Sequence, residues 1–340
     1  MVPFAADASR YGREHGLTGI DGAPAEKDLA GSGASATGRG VAGDASAGGG
    51  RGLLVGILIT LAGCACWGFN GTLVKFLLDN YPIDPVWLVC VRELGSCWLF
   101  LLTAWVTCRD RVVGILREPR QMGLLAVASV ACILSSNVCY VESISWTNSA
   151  TTTVLQSTNL VLVMVYVCLR THRRPRRREV AGAILALAGT YLLATGGNPD
   201  ALRIPPQGLA WGMGCAVCAV FLSVAPVGLL NRWGSMVFNG YAMLISGALL
   251  ALFVRPWEHV PVMPAAGWVL VAVTIVVGTY GSYALFLEGV RRVGPMRSAM
   301  LGTAEPLVAM ISSVVWLGTS FSPADLAGFA MIIAMVFLTA

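Results

Sequence analysis

Long apolar runs separated by short polar or proline-bearing segments dominate the chain. They predict helices over 53–77, 86–107, 121–141, 149–169, 179–195, 208–230, 236–254, 266–287, 297–317 and 323–340. Runs of about 20 apolar residues read as membrane-crossing helices. A membrane β-barrel would alternate apolar and polar positions, so that class is rejected. Asn80-Tyr81-Pro82, Glu118-Pro119, Asn198-Pro199, Pro205-Pro206 and Ser322-Pro323 punctuate the runs. Ser322 makes a good N-cap, with Pro323 in the first helical position.

The chain also repeats itself at a displacement of 146 residues, with no gap. Glu142 falls on Glu288, Asn159 on Glu305, Glu179 on Asp325 and Gly182 on Gly328. Leu124, Val127, Ser136, Met164 and Ala181 each meet their own residue type. The predicted helices divide into five per half. An odd number makes the second half enter the membrane with opposite orientation. The expected fold is therefore an all-α integral membrane protein of ten transmembrane helices in two inverted five-helix repeats, an architecture of secondary transporters. The halves are placed at 51–197 and 205–340. Residues 1–50 are rich in Ala, Gly and Ser and too poor in apolar side chains to fold, so a disordered tail is expected there. A translation start nearer the first helix is the other reading.

Composition agrees. The 340 residues are 56% hydrophobic and 12% charged, where soluble domains carry about a quarter charged residues. The net charge of +5 comes mostly from arginine. In a membrane protein it speaks of topology and lipid headgroups, not of nucleic acid. With the N-terminus inside, the inner loops carry fourteen arginines (109, 111, 117, 120, 170, 173, 174, 176, 177, 178, 232, 291, 292 and 297). The outer loops carry Arg203 and Arg255. This bias places both termini in the cytoplasm of a multi-pass plasma or inner-membrane protein. Most of the ten cysteines lie inside apolar runs, Cys215 and Cys218 among them, and read as small buried residues rather than metal or redox ligands.

Polar groups in the hydrocarbon carry the functional information, because each is costly unless paired or hydrated. Glu305 lies near the middle of the ninth run, and Pro306 after it loosens the helix around Gly302. A carboxylate beside loosened backbone suits a substrate amine or a cycled proton; a neutral or paired structural Glu is the alternative. Its repeat partner Asn159 ends a stripe of Ser149, Thr152, Thr153 and Gln156. A lined cavity and hydrogen-bonded interhelical glue are the two explanations. Arg92 and Glu93 point about 100° apart on one helix, so they are not expected to share a partner. Arg92 reads as a structural or gating contact, and Glu142 and Glu288 as caps or gates. Trp67, flanked by Gly68 and Asn70, leads the aromatic candidates; Phe69, Tyr140, Phe221, Tyr280 and Tyr283 lie in the same expected cavity helices. Trp87, Trp105, Trp146, Trp257 and Trp268 fit an interfacial belt. The substrate-binding set is therefore Trp67, Asn70, Tyr140, Thr152, Gln156, Asn159, Tyr283 and Glu305. The gating or structural set is Arg92, Glu142, Glu288 and Pro306.

Cys66-Trp67-Gly68, Arg92, Tyr283-Ala284-Leu285, Arg292-Val293-Gly294-Pro295 and Ala304-Glu305-Pro306-Leu307 resemble the drug/metabolite transporter superfamily, in particular its EamA-type exporters. The resemblance covers all but the N-terminal tail. It implies ten helices in inverted repeats, a central cavity and alternating access for solutes such as amino acids and other metabolites. Many members close helices four and nine with Leu-Gly-Glu. Here Leu169-Arg170-Thr171 and Leu317-Gly318-Thr319 stand instead, which takes gating detail out of the transfer. The expected function is a secondary transporter of small metabolites, an exporter, with no cofactor. No P-loop is present, so the chain itself does not use ATP. A membrane-embedded sensor or enzyme is the contrasting class. Three histidines in tail and loops, and no H-E-x-x-H or G-x-S-x-G, speak against the enzyme.

Overall fold

The computed structural model describes residues 45–170, 172, 174–198, 203–224, 227–294, 297–298 and 301–339. Most of the expected N-terminal tail, and Thr171, Arg173, Pro199 and Pro295 of the sequence argument, lie outside them. Among the described residues the chain is helical without a strand. The elements are α1 (Ala45–Asn80), α2 (Pro85–Leu116), α3 (Pro119–Trp146), α4a (Ser149–Ser157), α4b (Asn159–Arg170), α5 (Arg177–Thr195), α6 (Pro206–Val224, then Val227–Trp233), α7 (Ser235–Val254), α8 (Ala265–Val293), α9 (Ala304–Leu317) and α10 (Pro323–Thr339). Six stretches are long and apolar enough to cross a membrane: Leu53–Asn80, Pro85–Leu116, Pro119–Trp146, Ser149–Arg170, Ser235–Val254 and Ala265–Val293. Pro206–Leu222, Ala304–Leu317 and Pro323–Leu338 are shorter apolar helices.

Several helices outrun their apolar segments. α2 continues through Arg109, Asp110 and Arg111 to Leu116, with a kink at Cys108 (φ −152°, ψ 54°). Charge ends burial in lipid, but a charged residue is still a good helix former once its head reaches water. Local chemistry sets the starts. The Asp84 carboxylate accepts from the backbone N–H of Val86 and Trp87, both at 2.9 Å, with Pro85 behind it. Ser322 caps α10: its N–H and hydroxyl donate to Asp325 Oδ2 at 2.8 and 2.9 Å.

The 146-residue displacement reappears in the backbone. Arg176 N donates to Glu179 Oε2 at 2.6 Å, the repeat equivalent of Ser322 and Asp325. α3 and α8 each contain a π-helical stretch, Ser129–Leu134 and Thr274–Gly281, at matching positions. A wide turn leaves carbonyls exposed for side-chain donors. Ser135 Oγ donates to Val130 O at 3.0 Å, and Ser282 Oγ donates to Val277 O at 2.9 Å. Contacts between halves also map onto themselves: α1 packs on α8 as α3 does on α6, α2 lies along α7, and α5 along α10. The α5–α10 crossing is close because Gly189 and Gly328 face each other. A Cβ on either would come within 3 Å of the other's carbonyl oxygen.

Candidate functional site

α4 and α9 are both interrupted at the same depth, and the interruptions build the site. In α4 the break falls at Thr158, whose hydroxyl donates back to Leu155 O. Thr153 and Ser157 donate likewise to Ser149 O and Thr153 O at 2.8 and 3.0 Å. Such back-bonding competes with the helical ladder and bends it. At α9 the break is Gly302–Thr303, immediately before Ala304, with Leu301 helical on its other side. Pro306 has no N–H for Gly302 O, which accepts from Glu305 N at 3.1 Å instead. Asn159 thus opens α4b, and Glu305 sits in the first turn of α9. The sequence had placed Glu305 mid-helix. The interruption puts it at a helix start, where the backbone dipole favours negative charge.

Between these breaks lies a cavity of about 450 Å³. Trp67, Asn70, Tyr140, Gln156, Asn159, Tyr283, Glu305, Pro306 and Arg92 line it. Many occur as repeat-equivalent pairs: Asn159 with Glu305, Asn137 with Tyr283, and Tyr140 with Phe286. Trp67 packs edge-on against Tyr283, ring centroids 4.9 Å apart, and tilts over Phe286 at 5.1 Å. Gly68 lets α1 touch α9 at the carboxylate-bearing turn. A Cβ there would overlap Glu305 O and Ala309 N, so no larger residue fits. Glu305 lies within electrostatic reach of Cys64, Tyr140, Cys215 and Tyr283, on α1, α3, α6 and α8. Among the described residues its carboxylate makes no hydrogen bond or ion pair.

Other expectations change. Thr152 does not line the cavity. It is fully buried, and its hydroxyl meets those of Ser143 and Thr147, each at 3.0 Å. The stripe on α4 therefore divides: Thr153, Gln156 and Asn159 face the cavity, while Ser149 and Thr152 bind neighbouring helices. Both explanations of the stripe hold, each for its own residues. Glu142 and Glu288 do not end their helices, which run on to Trp146 and Val293. Glu288 is held by Arg291 and Arg292 at 2.7–2.9 Å, whereas the half-buried Glu142 receives Ser145 Oγ on its backbone oxygen at 2.7 Å. Neither lines the cavity. Arg92 and Glu93 do share a partner: Asn137 Oδ1 accepts from Arg92 Nη2 at 3.4 Å, and Asn137 Nδ2 donates to Glu93 Oε1 at 2.7 Å. Long side chains on adjacent positions curve toward one amide, which the angle between their Cβ atoms does not reveal. Phe69 and Phe221 face outward, 41% and 56% exposed. Trp87, in the first turn of α2, is buried against protein and donates to Pro256 O at 3.1 Å.

At one end, past the lining residues Asn70, Thr153 and Pro306, a knot of hydroxyls joins α1, α4a and α9. Thr72 Oγ1 meets Ser149 Oγ at 2.9 Å and Ser312 Oγ at 2.7 Å, and Ser149 Oγ meets Ser313 Oγ at 3.1 Å. Thr72, Ser149 and Ser313 are fully buried. The opposite end is bordered by Glu179, Met164 and Val336, on the side of the arginine-rich segment 170–178.

The EamA-like transporter family matches residues 54–195 and 206–340, which is most of the chain. The chain belongs to the EamA-like transporter family. This EamA-like protein is 28% identical over 286 residues to YicL of Salmonella typhimurium, named an uncharacterized inner membrane transporter. The match covers 83% of this chain and 94% of that one. It is 23% identical to YcbK of Bacillus subtilis, named an uncharacterized transporter, over 77% of this chain and 85% of the relative. A solved crystal structure at 19% identity superposes with a TM-score of 0.58 over 83% of this chain and 95% of that one, a likeness of fold. The protein is accordingly a membrane transporter of helical architecture, and the cavity is its candidate transport site.

Proposed function

We propose that the protein is a secondary transporter that exports small metabolites by alternating access. In this reading ten spans form two inverted five-helix halves, 51–197 and 205–340, in the plasma or inner membrane with both termini cytoplasmic. The matching caps, π-helical stretches and self-mapping contacts of the halves support the repeat. The arginine bias supports the orientation. The observation that carries the functional reading is the carboxylate of Glu305, without an ion pair among the described residues, in a cavity lined from both halves.

The chemistry follows from that placement. A carboxylate in a low-dielectric cavity attracts a protonated amine or a proton strongly, because bulk water screens it little there. Trp67, Tyr140 and Tyr283 give an apolar solute body its contacts, and Asn70, Gln156 and Asn159 give it hydrogen bonds. The knot at Thr72 closes one side, with access from the arginine-rich side. Exchanging which side is closed carries the solute across. Efflux from proteoliposomes tests the reading. Glu305→Gln removes the charge at constant shape and is expected to slow transport by at least ~100-fold with normal insertion and folding. Wild-type rates in that variant would remove Glu305 from the site.

A further inference from the structure

We propose that Arg92 is the oxyanion-binding group of this cavity and that the transported solute presents a carboxylate to it. The proposal rests on the cavity being the transport site and names a substrate feature within it.

Arg92 is 5% exposed, yet it lines the cavity. A guanidinium carries five N–H donors and keeps its charge in proteins. Among the described residues this one makes a single hydrogen bond, the 3.4 Å contact to Asn137, and no ion pair. A buried arginine with a purely structural task has its donors used by carboxylates or carbonyls, because an unsatisfied buried charge is costly. Glu93, at the adjacent position, is within electrostatic reach but makes no ion pair with Arg92: its buried Oε2 has no hydrogen-bond partner among the described residues, and its Oε1 accepts from Asn137 Nδ2 at 2.7 Å. That bond fixes which way the Asn137 amide points and turns Oδ1 toward Arg92. Glu93 and Asn137 therefore act as positioning residues. They hold the guanidinium at the cavity wall by one N–H and leave the rest of its planar fork for a ligand.

The fork matches a carboxylate, two parallel N–H donors to two oxygens. Charge selects among oxyanions. With Glu93 and Glu305 already near the one guanidinium, a monoanion adds a single negative charge where a phosphate dianion adds two, and a solute that also brings an amine to Glu305 adds none. Tyr140 and Tyr283 lie within electrostatic reach of both Arg92 and Glu305, so the two charges border one continuous space.

Titration of the purified full chain in lipid nanodiscs tests this with three probes of one shape: phenylacetate, phenylacetamide and phenethylamine. Wild type is expected to prefer phenylacetate over its neutral amide by ~10-fold or more. Arg92→Gln should abolish that preference and leave phenethylamine binding intact. Arg92→Lys, which keeps the charge and serves should the Gln variant misfold, should lower phenylacetate affinity several-fold because the fork is gone. Glu305→Gln should do the reverse, weakening the amine and sparing the carboxylate. Equal binding of phenylacetate and phenylacetamide, or a preference that survives Arg92→Gln while phenethylamine still answers to Glu305→Gln, overturns the assignment of Arg92 alone. Binding of every probe that ignores both residues overturns the cavity reading with it.

Discussion

α4 and α9 occupy repeat-equivalent places, and each breaks at the cavity, but different chemistry breaks them. α4 yields to hydroxyls at Thr153, Ser157 and Thr158 that return to its own carbonyls. α9 yields to Pro306, which removes a donor. The residue presented next differs as well: neutral Asn159 from α4b and Glu305 from α9. A duplicated backbone thus keeps its discontinuity while the charge at the break diverges. The shared feature is architectural, and the unshared one is where the proposed chemistry lies.

Exchanging the two side chains is the severest test of that difference. If charge anywhere at the break sufficed, Asn159→Glu would rescue Glu305→Gln. The surroundings argue otherwise. Arg92 and the Asn137–Glu93 pair on α2 and α3 have no charged counterpart at the equivalent site, where Tyr283 replaces Asn137. The double variant is expected to stay at least ~100-fold below wild type in proteoliposome efflux, like Glu305→Gln alone. Recovery to within a few-fold would make the cavity functionally symmetric and sink the comparison.

Pro306→Ala asks whether the break in α9 is needed once the carboxylate is kept. Restoring an N–H lets α9 extend through Gly302, and alanine is the better helix former. Efflux is expected to fall about 10-fold because the Glu305 turn rotates from the cavity. Thermal stability in detergent should hold or rise. An unchanged rate would show that Gly302 alone sets the turn.

Much of this was legible in the chain, for physical reasons. Apolar runs mark the membrane-spanning stretches because lipid tolerates little else, and Ser322-Pro323 was readable as a helix start because capping is local. Helix ends were less legible, as α2 shows: hydropathy reports where lipid ends, not where hydrogen bonding ends. Glu305, Asn159 and Gln156 stood out as polar groups in apolar surroundings. Asn137 did not, although Ser135-Ser136-Asn137 is a polar cluster in an apolar run and falls on Tyr283 in the repeat. Its importance depends on Arg92 and Glu93 converging from another helix. Thr152 and Thr153 are chemically alike and adjacent; which faces the cavity is decided by the packing of α3 and α6, which no local pattern encodes.

The smallest expected effect concerns what ties the two broken helices together. Thr72 reaches Ser149 on α4a and Ser312 on α9 with one hydroxyl, so it couples the two at the closed end. Thr72→Val keeps the shape and removes that coupling. Hydrogen bonds between membrane helices contribute roughly 0.6 kcal/mol each on average, because the separated helices find other partners, so the loss should be about 1 kcal/mol. That is small against global stability, but it acts where the two broken helices meet, leaving the direct Ser149–Ser313 hydrogen bond as their remaining polar link. Backbone amides of α4a and of the second half of α9 should therefore exchange with deuterium several-fold faster, with α5 and α10 unchanged, since local opening follows local contact energy. Exchange that stays unchanged in both segments would mean that the closed end is held by packing around Gly68 and Ala309, and that the two helices open independently.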